Sequence, residues 1–153
     1  MKIIKKIFYF ILMLSIAGCG YEPMYSREGQ IKVAIQSFQV EGEKKLNRQI
    51  VSGLNLKNQA QLDGYKLLIN TKKTLLSVSK DATGKTLTYN TTVTVVVSLI
   101  EEGDKVYKKK NFTTGFTYNN TKNKFDLSRY QRDIESNLID TIIEQITIFL
   151  MPN

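Results

Sequence analysis

Cys19 is the residue with the most distinctive chemistry in this chain, because it is the only cysteine among 153 residues. A thiolate can act as a nucleophile or a metal ligand, and a thiol can also accept a covalent lipid. The chain contains no histidine, so the commonest general base and the commonest metal ligand are both missing. It also contains no Gly-x-Ser-x-Gly arrangement. We therefore expect a protein that is not an enzyme, without catalytic residues, metal or cofactor; carboxylate or Ser/Lys chemistry is the open alternative.

The amino terminus has the regions of an export signal. Residues 1–6 carry three lysines, Ile7–Leu14 is apolar, and small residues precede Cys19. The apolar run has the length of a signal peptide, roughly 7–15 residues, and is shorter than the about 20 that a spanning helix needs. The stretch Ile16–Cys19 resembles a bacterial lipobox, whose cysteine accepts a diacylglyceryl group. We predict a signal peptide over residues 1–18, cleaved before Cys19, with that residue lipidated; an ordinary secretory signal with a chance cysteine is the alternative.

The charge balance is basic, with 22 Lys and Arg against 14 Asp and Glu, a formal net charge of +8. Such an excess fits contact with anionic lipid, phosphate-bearing glycolipid or nucleic acid, and export argues against nucleic acid. An ammonium suits phosphate as a point charge, although lysines on a strand also protect a sheet edge. The candidate glycolipid-binding residues lie in a hairpin loop and in a later strand: Lys80, Lys85, Lys105, Lys108 and Lys110.

Period-two and helical patterns alternate along the rest of the chain. Residues 19–30 are predicted to form a tether. After it, the alternation of apolar and polar residues predicts a strand from Ile31 to Val40. Helical spacing of apolar residues then predicts an amphipathic helix from about Glu43 to Gln61, which Gly53 ends or bends.

Three further strands follow at hairpin-short separations. They are predicted at Tyr65–Ser79, Thr86–Ile100 and Lys105–Tyr118, and the second has apolar residues at odd positions and polar ones at even positions. This strict period implies one dry and one wet face. The aromatic residues of the last strand, Phe112, Phe116 and Tyr118, are predicted to be core.

The strongest helical pattern runs from Leu127 to Phe149, and Asp126 or Ser128 is predicted to cap its start. The order is strand, helix, three strands, helix. We therefore predict one α+β domain over residues 31–153, a two-layer sandwich with two amphipathic helices on one face of a four-stranded, mostly antiparallel sheet.

The segment Cys19–Tyr25, Cys-Gly-Tyr-Glu-Pro-Met-Tyr, resembles the start of lipopolysaccharide-assembly lipoproteins of the LptE family in their alphaproteobacterial form. The order and spacing of the Val93–Leu99 strand, the turn after it, Gly115–Asn119 and the long last helix are similar too. The resemblance implies a non-catalytic plug inside the outer-membrane β-barrel LptD that helps this translocon to assemble and to insert lipopolysaccharide.

This resemblance also implies the location and the partners. The protein is expected on the periplasmic side of the outer membrane, anchored there by the lipid on Cys19, with an LptD-type barrel and lipopolysaccharide as partners and no nucleic acid. Gly20, which follows the cysteine, is similar to the residue found in lipoproteins sorted to that membrane. A free-standing periplasmic ligand-binding or envelope-structural lipoprotein is the alternative.

Overall fold

The computed structural model describes residues 33–58 and 63–151. The signal peptide, Cys19 and the tether predicted for residues 1–30 therefore lie outside the described residues. The order of elements agrees with the predicted one. The elements are β1 (Ile35–Gly42), α1 (Lys44–Gly53), β2 (Tyr65–Lys80), β3 (Thr86–Ile100), β4 (Val106–Asn119) and α2 (Lys124–Phe149).

The four strands form one sheet in the order β1-β2-β3-β4. β1 is parallel to β2, as a connection through helix α1 allows, and the β2–β3 and β3–β4 pairs are antiparallel. The predicted α+β sandwich with a mostly antiparallel sheet is thus confirmed. β2 has 16 residues, β3 has 15 and β4 has 14, so these strands reach roughly 45–53 Å at about 3.3 Å per residue.

Both helices pack on one face of the sheet and close the hydrophobic core there. The strict alternation of β3 is confirmed in its second half, where the odd-numbered residues from Val93 to Leu99 are essentially inaccessible. Each fully buried Val, Leu or Ile contributes about 1.5–3 kcal/mol relative to an exposed one. The fully buried partners from the other elements are Leu46 and Ile50 of α1, Leu67 and Ile69 of β2, and Ile139, Ile142 and Ile146 of α2.

A β-bulge changes the phase of β1. The pairing with β2 shifts between Ile35 and Ser37, so the extra residue turns the following side chains over. Ile35 is buried, and after the bulge Phe38 and Val40 pack against the core. The alternation predicted from Ile31 onward misses this change, because a one-residue insertion leaves no signal in the composition of the strand.

Two details of the predicted helices differ from the structure. Helix α1 ends at Gly53, the residue that was predicted to end or bend it, and does not continue to Gln61; Asn55 lies in the left-handed region with φ 49°. A Cβ on Gly53 would lie 2.5 Å from Cδ1 of Ile143, so this glycine allows α1 to approach α2 closely.

The start of α2 is capped by Asn123, and not by Asp126 or Ser128. The side chain of Asn123 accepts hydrogen bonds from the amides of Phe125 and Asp126, at 3.0 and 3.5 Å. An N-cap residue uses its side-chain oxygen to satisfy amides of the first turn. Ser128 bonds instead to the Lys124 carbonyl within the helix.

Candidate functional site

The β2–β3 turn holds the first predicted pair of cations in a defined loop. The Asp81 carboxylate accepts hydrogen bonds from the Thr83 hydroxyl at 2.6 Å, the Thr83 amide at 2.9 Å and the Lys85 amide at 3.0 Å. These bonds, the hydroxyl of Thr83 first, lower the pKa of Asp81 below its ordinary value. Lys80 and Lys85 flank the turn with exposed side chains, so two ammonium groups stand at the tip of an ordered hairpin.

Large apolar side chains are exposed on the half of the sheet that leads to this tip. Leu76 and Val78 are 56% and 58% exposed. Phe116, which was predicted to be core, is 46% exposed, and Leu87, on the predicted dry face of β3, is 48% exposed. We call Leu75, Leu76, Val78, Leu87 and Phe116 the distal patch.

The second predicted group of cations lies at the other end of the sheet, and its members differ in their surroundings. Lys105 follows an acidic turn formed by residues 101–104, Glu-Glu-Gly-Asp. Lys108 donates a 3.1 Å hydrogen bond to the Phe149 carbonyl at the end of α2, and its ammonium lies 4.6 Å from that ring's centre. This position suits a cation, since the C-terminus of a helix carries partial negative charge. Lys110 lies 5.3 Å over the ring of Phe112.

The structure therefore divides the five predicted lysines into two groups. Lys80 pairs with Thr86 at one end of β3, and Lys108 pairs with Leu99 at the other. The thirteen residue steps from Thr86 to Leu99 span roughly 43 Å at about 3.3 Å per residue. A single phosphate-bearing headgroup cannot contact both groups. Lys108 and Lys110 share the helix-bearing face, as their spacing of two requires.

Sequence reasoning missed an ion cluster that joins three elements. Glu135 of α2 is 7% exposed, and its carboxylate contacts Lys45 of α1 at 2.7 Å and Lys73 of β2 at 2.9 Å. Burial opposes its ionisation, but the two lysine contacts outweigh burial and lower the pKa of Glu135. The hydrogen bond to Glu135 raises the pKa of Lys73. A glutamate on the apolar stripe of α2, next to Ile134, was the available signal.

A Ser-x-x-Lys spacing is present at Ser77–Lys80, but its surroundings do not suit nucleophilic catalysis. These residues lie on an exposed strand and not on one face of a helix. The Ser77 hydroxyl is 2.9 Å from that of Thr86. Within residues 33–58 and 63–151, no cluster of three Asp, Glu, Cys or His side chains could hold a metal ion. The same residues include no helix long and apolar enough to cross a membrane.

The sandwich is the fold of several solved bacterial lipoproteins. A minor lipoprotein from Acinetobacter baumannii matches with a TM-score of 0.57 at 14% identity, over 77% of this chain and 92% of that chain. Rare lipoprotein B from Shewanella oneidensis matches with a TM-score of 0.55 at 14% identity, over 72% and 89%. Identities this low establish the fold alone. Comparison with curated proteins by sequence gives no significant match.

The structure thus defines a small α+β domain that shares its fold with these solved lipoproteins. The model of the LptE family, described as lipopolysaccharide-assembly, matches residues 31–150. The chain therefore belongs to the LptE family and is a lipopolysaccharide-assembly lipoprotein.

Proposed function

We propose that this protein is the plug and assembly factor of an LptD-type β-barrel, the translocon that inserts lipopolysaccharide at the outer membrane. In this proposal the protein is a non-catalytic lipoprotein that is anchored to the periplasmic side of that membrane through Cys19. Membership of the LptE family over residues 31–150 carries the proposal. The resemblance of the Cys19–Tyr25 segment to the start of such proteins supports the anchor.

The sheet face without helices is the surface that suits a barrel lumen. It carries a ladder of polar side chains on β3 and β4, including a 2.9 Å hydrogen bond between Asn90 and Thr117. The hydroxyls of Thr94 and Thr113 approach each other to 3.3 Å on the same face. The interior wall of an outer-membrane barrel is polar, so a sheet face of hydroxyl and amide groups can form hydrogen bonds with it. The distal patch adds apolar contacts near the tip.

Co-purification tests the barrel partner. The full chain is extracted from membranes in detergent, and the proposal expects a stoichiometric outer-membrane β-barrel with it. Leu76→Glu and Val78→Glu together should lower barrel recovery about tenfold, because a carboxylate in the contact is desolvated without a partner. Val106→Glu is the control, since Val106 is 52% exposed at the other end of the sheet. Extraction of a monomer without any barrel would contradict the plug and favour a free-standing periplasmic lipoprotein.

We further propose that the lysines contact lipopolysaccharide phosphate, with Lys80 and Lys85 as the leading pair. Both are exposed on an ordered tip, whereas the Lys108 ammonium already contacts the end of α2. Charge reversal of Lys80 and Lys85 should weaken lipopolysaccharide binding about fivefold or more in low salt, and less at high salt because ions screen exposed charges.

Two further variants test which lysines bind the phosphate groups of lipopolysaccharide. One reverses Lys105, Lys108 and Lys110 together, and the other, Lys57→Glu, is the control, because Lys57 is exposed outside both groups. A loss with the three-residue variant alone would move the binding group to the β3–β4 end. Binding that survives both multiple charge reversals would contradict any role of these lysines.

A further inference from the structure

β1 forms one edge of the sheet and borders a groove. The groove has a volume of about 730 Å³ and is lined by β1 and α1, with Phe38, Val40 and Val51 among its apolar residues. No β2 residue is among the described residues that line the groove. The groove therefore lies on the side of β1 that faces away from β2. The stretch Phe38–Gly42 follows the groove for about 16 Å at 3.3 Å per residue, which is the length of a five-residue strand.

The backbone of β1 presents hydrogen-bonding groups toward this groove. The Phe38 amide donates a 3.2 Å bond to the side-chain oxygen of Asn58 and not to β2. Backbone groups of a paired strand alternate in direction, so Val40, two residues later, also directs its N–H and C=O away from β2. Among the described residues, Asn58 supplies the side-chain acceptor on this edge. The Phe38 amide therefore already donates to an acceptor outside the sheet. A docked strand would supply acceptors of the same kind.

The two edges of the sheet differ in their protection. β4 carries three consecutive lysines, Lys108–Lys110, the kind of residue that prevents pairing with another chain. β1 contains no lysine and no proline among Ile35–Gly42, and its β-bulge, which also protects a sheet edge, lies at Ile35–Ser37, before the stretch that borders the groove. An exposed edge strand without such residues is a template for strand addition, especially where an apolar groove runs beside it.

Two cationic side chains line the groove among the residues that the structure describes. Lys44 and Arg48 of α1 line it, and none of its described lining residues is a carboxylate. The neighbouring carboxylate of Glu41 contacts the side-chain amides of Gln39 and Asn70, each at 3.3 Å. A ligand of this groove should therefore combine apolar side chains directed into it with acidic side chains near α1.

We propose that the β1–α1 groove binds an extended, acidic peptide segment of a partner protein, which adds to β1 as a fifth strand of the sheet. Main-chain hydrogen bonds to Val40 and its neighbours hold the segment. Its alternate apolar side chains pack on Phe38, Val40 and Val51, and its acidic side chains pair with Lys44 and Arg48. This interaction uses the sheet edge and not the open face, and it is independent of the proposed barrel contact.

The test uses the chain from residue 19 onward with Cys19→Ala and a defined probe. The probe is an eight-residue peptide of alternating valine and glutamate, titrated into the isotopically labelled protein and followed by amide chemical shifts. We expect shifts confined to β1 and α1, and contacts between the peptide and the Val40 amide. The same peptide with every backbone nitrogen methylated should not bind, and a valine–lysine peptide should bind at least fivefold more weakly.

Substitutions in the protein test whether the peptide binds in the β1–α1 groove. Arg48→Glu should weaken binding of the peptide about fivefold or more, whereas Arg132→Glu, an exposed arginine on α2, should leave it unchanged. Val40→Pro removes an amide that points away from β2, which an edge strand tolerates, and should weaken binding about tenfold. If Val40→Pro does not fold, Arg48→Glu and the methylated peptide still decide the question.

Four results would overturn the proposal. The first is the absence of binding at millimolar peptide, and the second is equal binding of the methylated peptide. The third is an equal effect of Arg48→Glu and Arg132→Glu. The fourth is a response of the same groove amides to dodecanoate but not to peptide, which would make the groove a lipid pocket.

Discussion

Replacing Glu135 by glutamine tests how strongly the buried ion cluster joins α1, β2 and α2. The substitution keeps the shape of the side chain and removes its charge, so the ammonium groups of Lys45 and Lys73 lose a shared carboxylate at 2.7 and 2.9 Å. We expect a less stable but folded protein. The hydrophobic core between the helices and the sheet does not depend on this charge.

The magnitude follows from the exposure of the three side chains. Breaking a fully buried pair costs about 3–5 kcal/mol, and exposed pairs contribute about 0–1 kcal/mol. The Glu135 side chain is 9% exposed, but those of Lys45 and Lys73 are 45% and 31% exposed, so the lysines can turn toward water after the substitution. We therefore expect a loss of about 2 kcal/mol, which lowers the thermal midpoint by roughly 8 °C for a domain of this size.

The assay is urea and thermal unfolding followed by circular dichroism, on the chain from residue 19 onward with Cys19→Ala. Glu144→Gln is the control, because this glutamate is exposed on the same helix. A double-mutant cycle with Lys73→Met, which keeps the aliphatic stem, should give a coupling energy of about 1 kcal/mol. A loss within about 0.5 kcal/mol of the control, together with zero coupling, would refute the reasoning.

The pH dependence of the same difference has a definite sign. The pKa of Glu135 is lowered in the folded protein, so its contribution is complete above the unfolded value of about 4.3 and is lost as pH falls through the folded pKa. The pKa of Lys73 is raised, so its contribution is complete below about 10.4 and is lost as pH rises through the folded pKa. The stability difference between the parent and Glu135→Gln should be constant from about pH 5.5 to 9.

Two further predictions concern the backbone and a helix cap, and both are measured by urea unfolding. Gly42→Ala should lower the free energy of unfolding by more than about 2 kcal/mol, since the φ of Gly42 is +97° and the new Cβ would clash with the Thr71 carbonyl oxygen. Gly84→Ala should lower it by only about 1 kcal/mol, because Gly84 has a φ of +83° but open space around it. Equal losses at both glycines would show that the contact does not matter. Asn123→Ala should cost about 1 kcal/mol because it uncaps α2, whereas Ser128→Ala should change stability little; the reverse order would contradict the cap.

Most of the fold was predictable because its signals are periodic and local. β3 alternates strictly, α2 repeats its apolar residues every three or four positions, and the hairpin turns contain glycine and aspartate. The errors in the predicted burial and helix boundaries occur where contacts with distant parts of the chain override the local sequence pattern. Phe116 is in phase with the buried Phe112 and Tyr118 but is 46% exposed, because burial requires a covering element as well as a phase. Gly53, the last residue of α1, lies against Ile143 of another helix, and this contact is not visible in a local pattern.

The candidate site was predictable only in its residue types. Lysine-rich loops and strands can be read from the chain, and so can the lack of histidine. The approach of Lys45, Lys73 and Glu135 joins residues up to 90 positions apart, and no local pattern pairs such residues. The groove beside β1 likewise depends on a bulge and on the position of α1, which are properties of the assembled sheet.

The sequence by itself determined the order of the elements, the dry and wet faces of the second half of β3, and the family resemblance, because each depends on residues that are neighbours in the chain. The tertiary structure alone decided three features. The predicted lysines separate into two groups roughly 43 Å apart at the rise of a strand, the distal patch is exposed, and β1 is an edge strand of the sheet formed by the described residues. These features depend on which segments meet in space, which is set by strand register and helix packing.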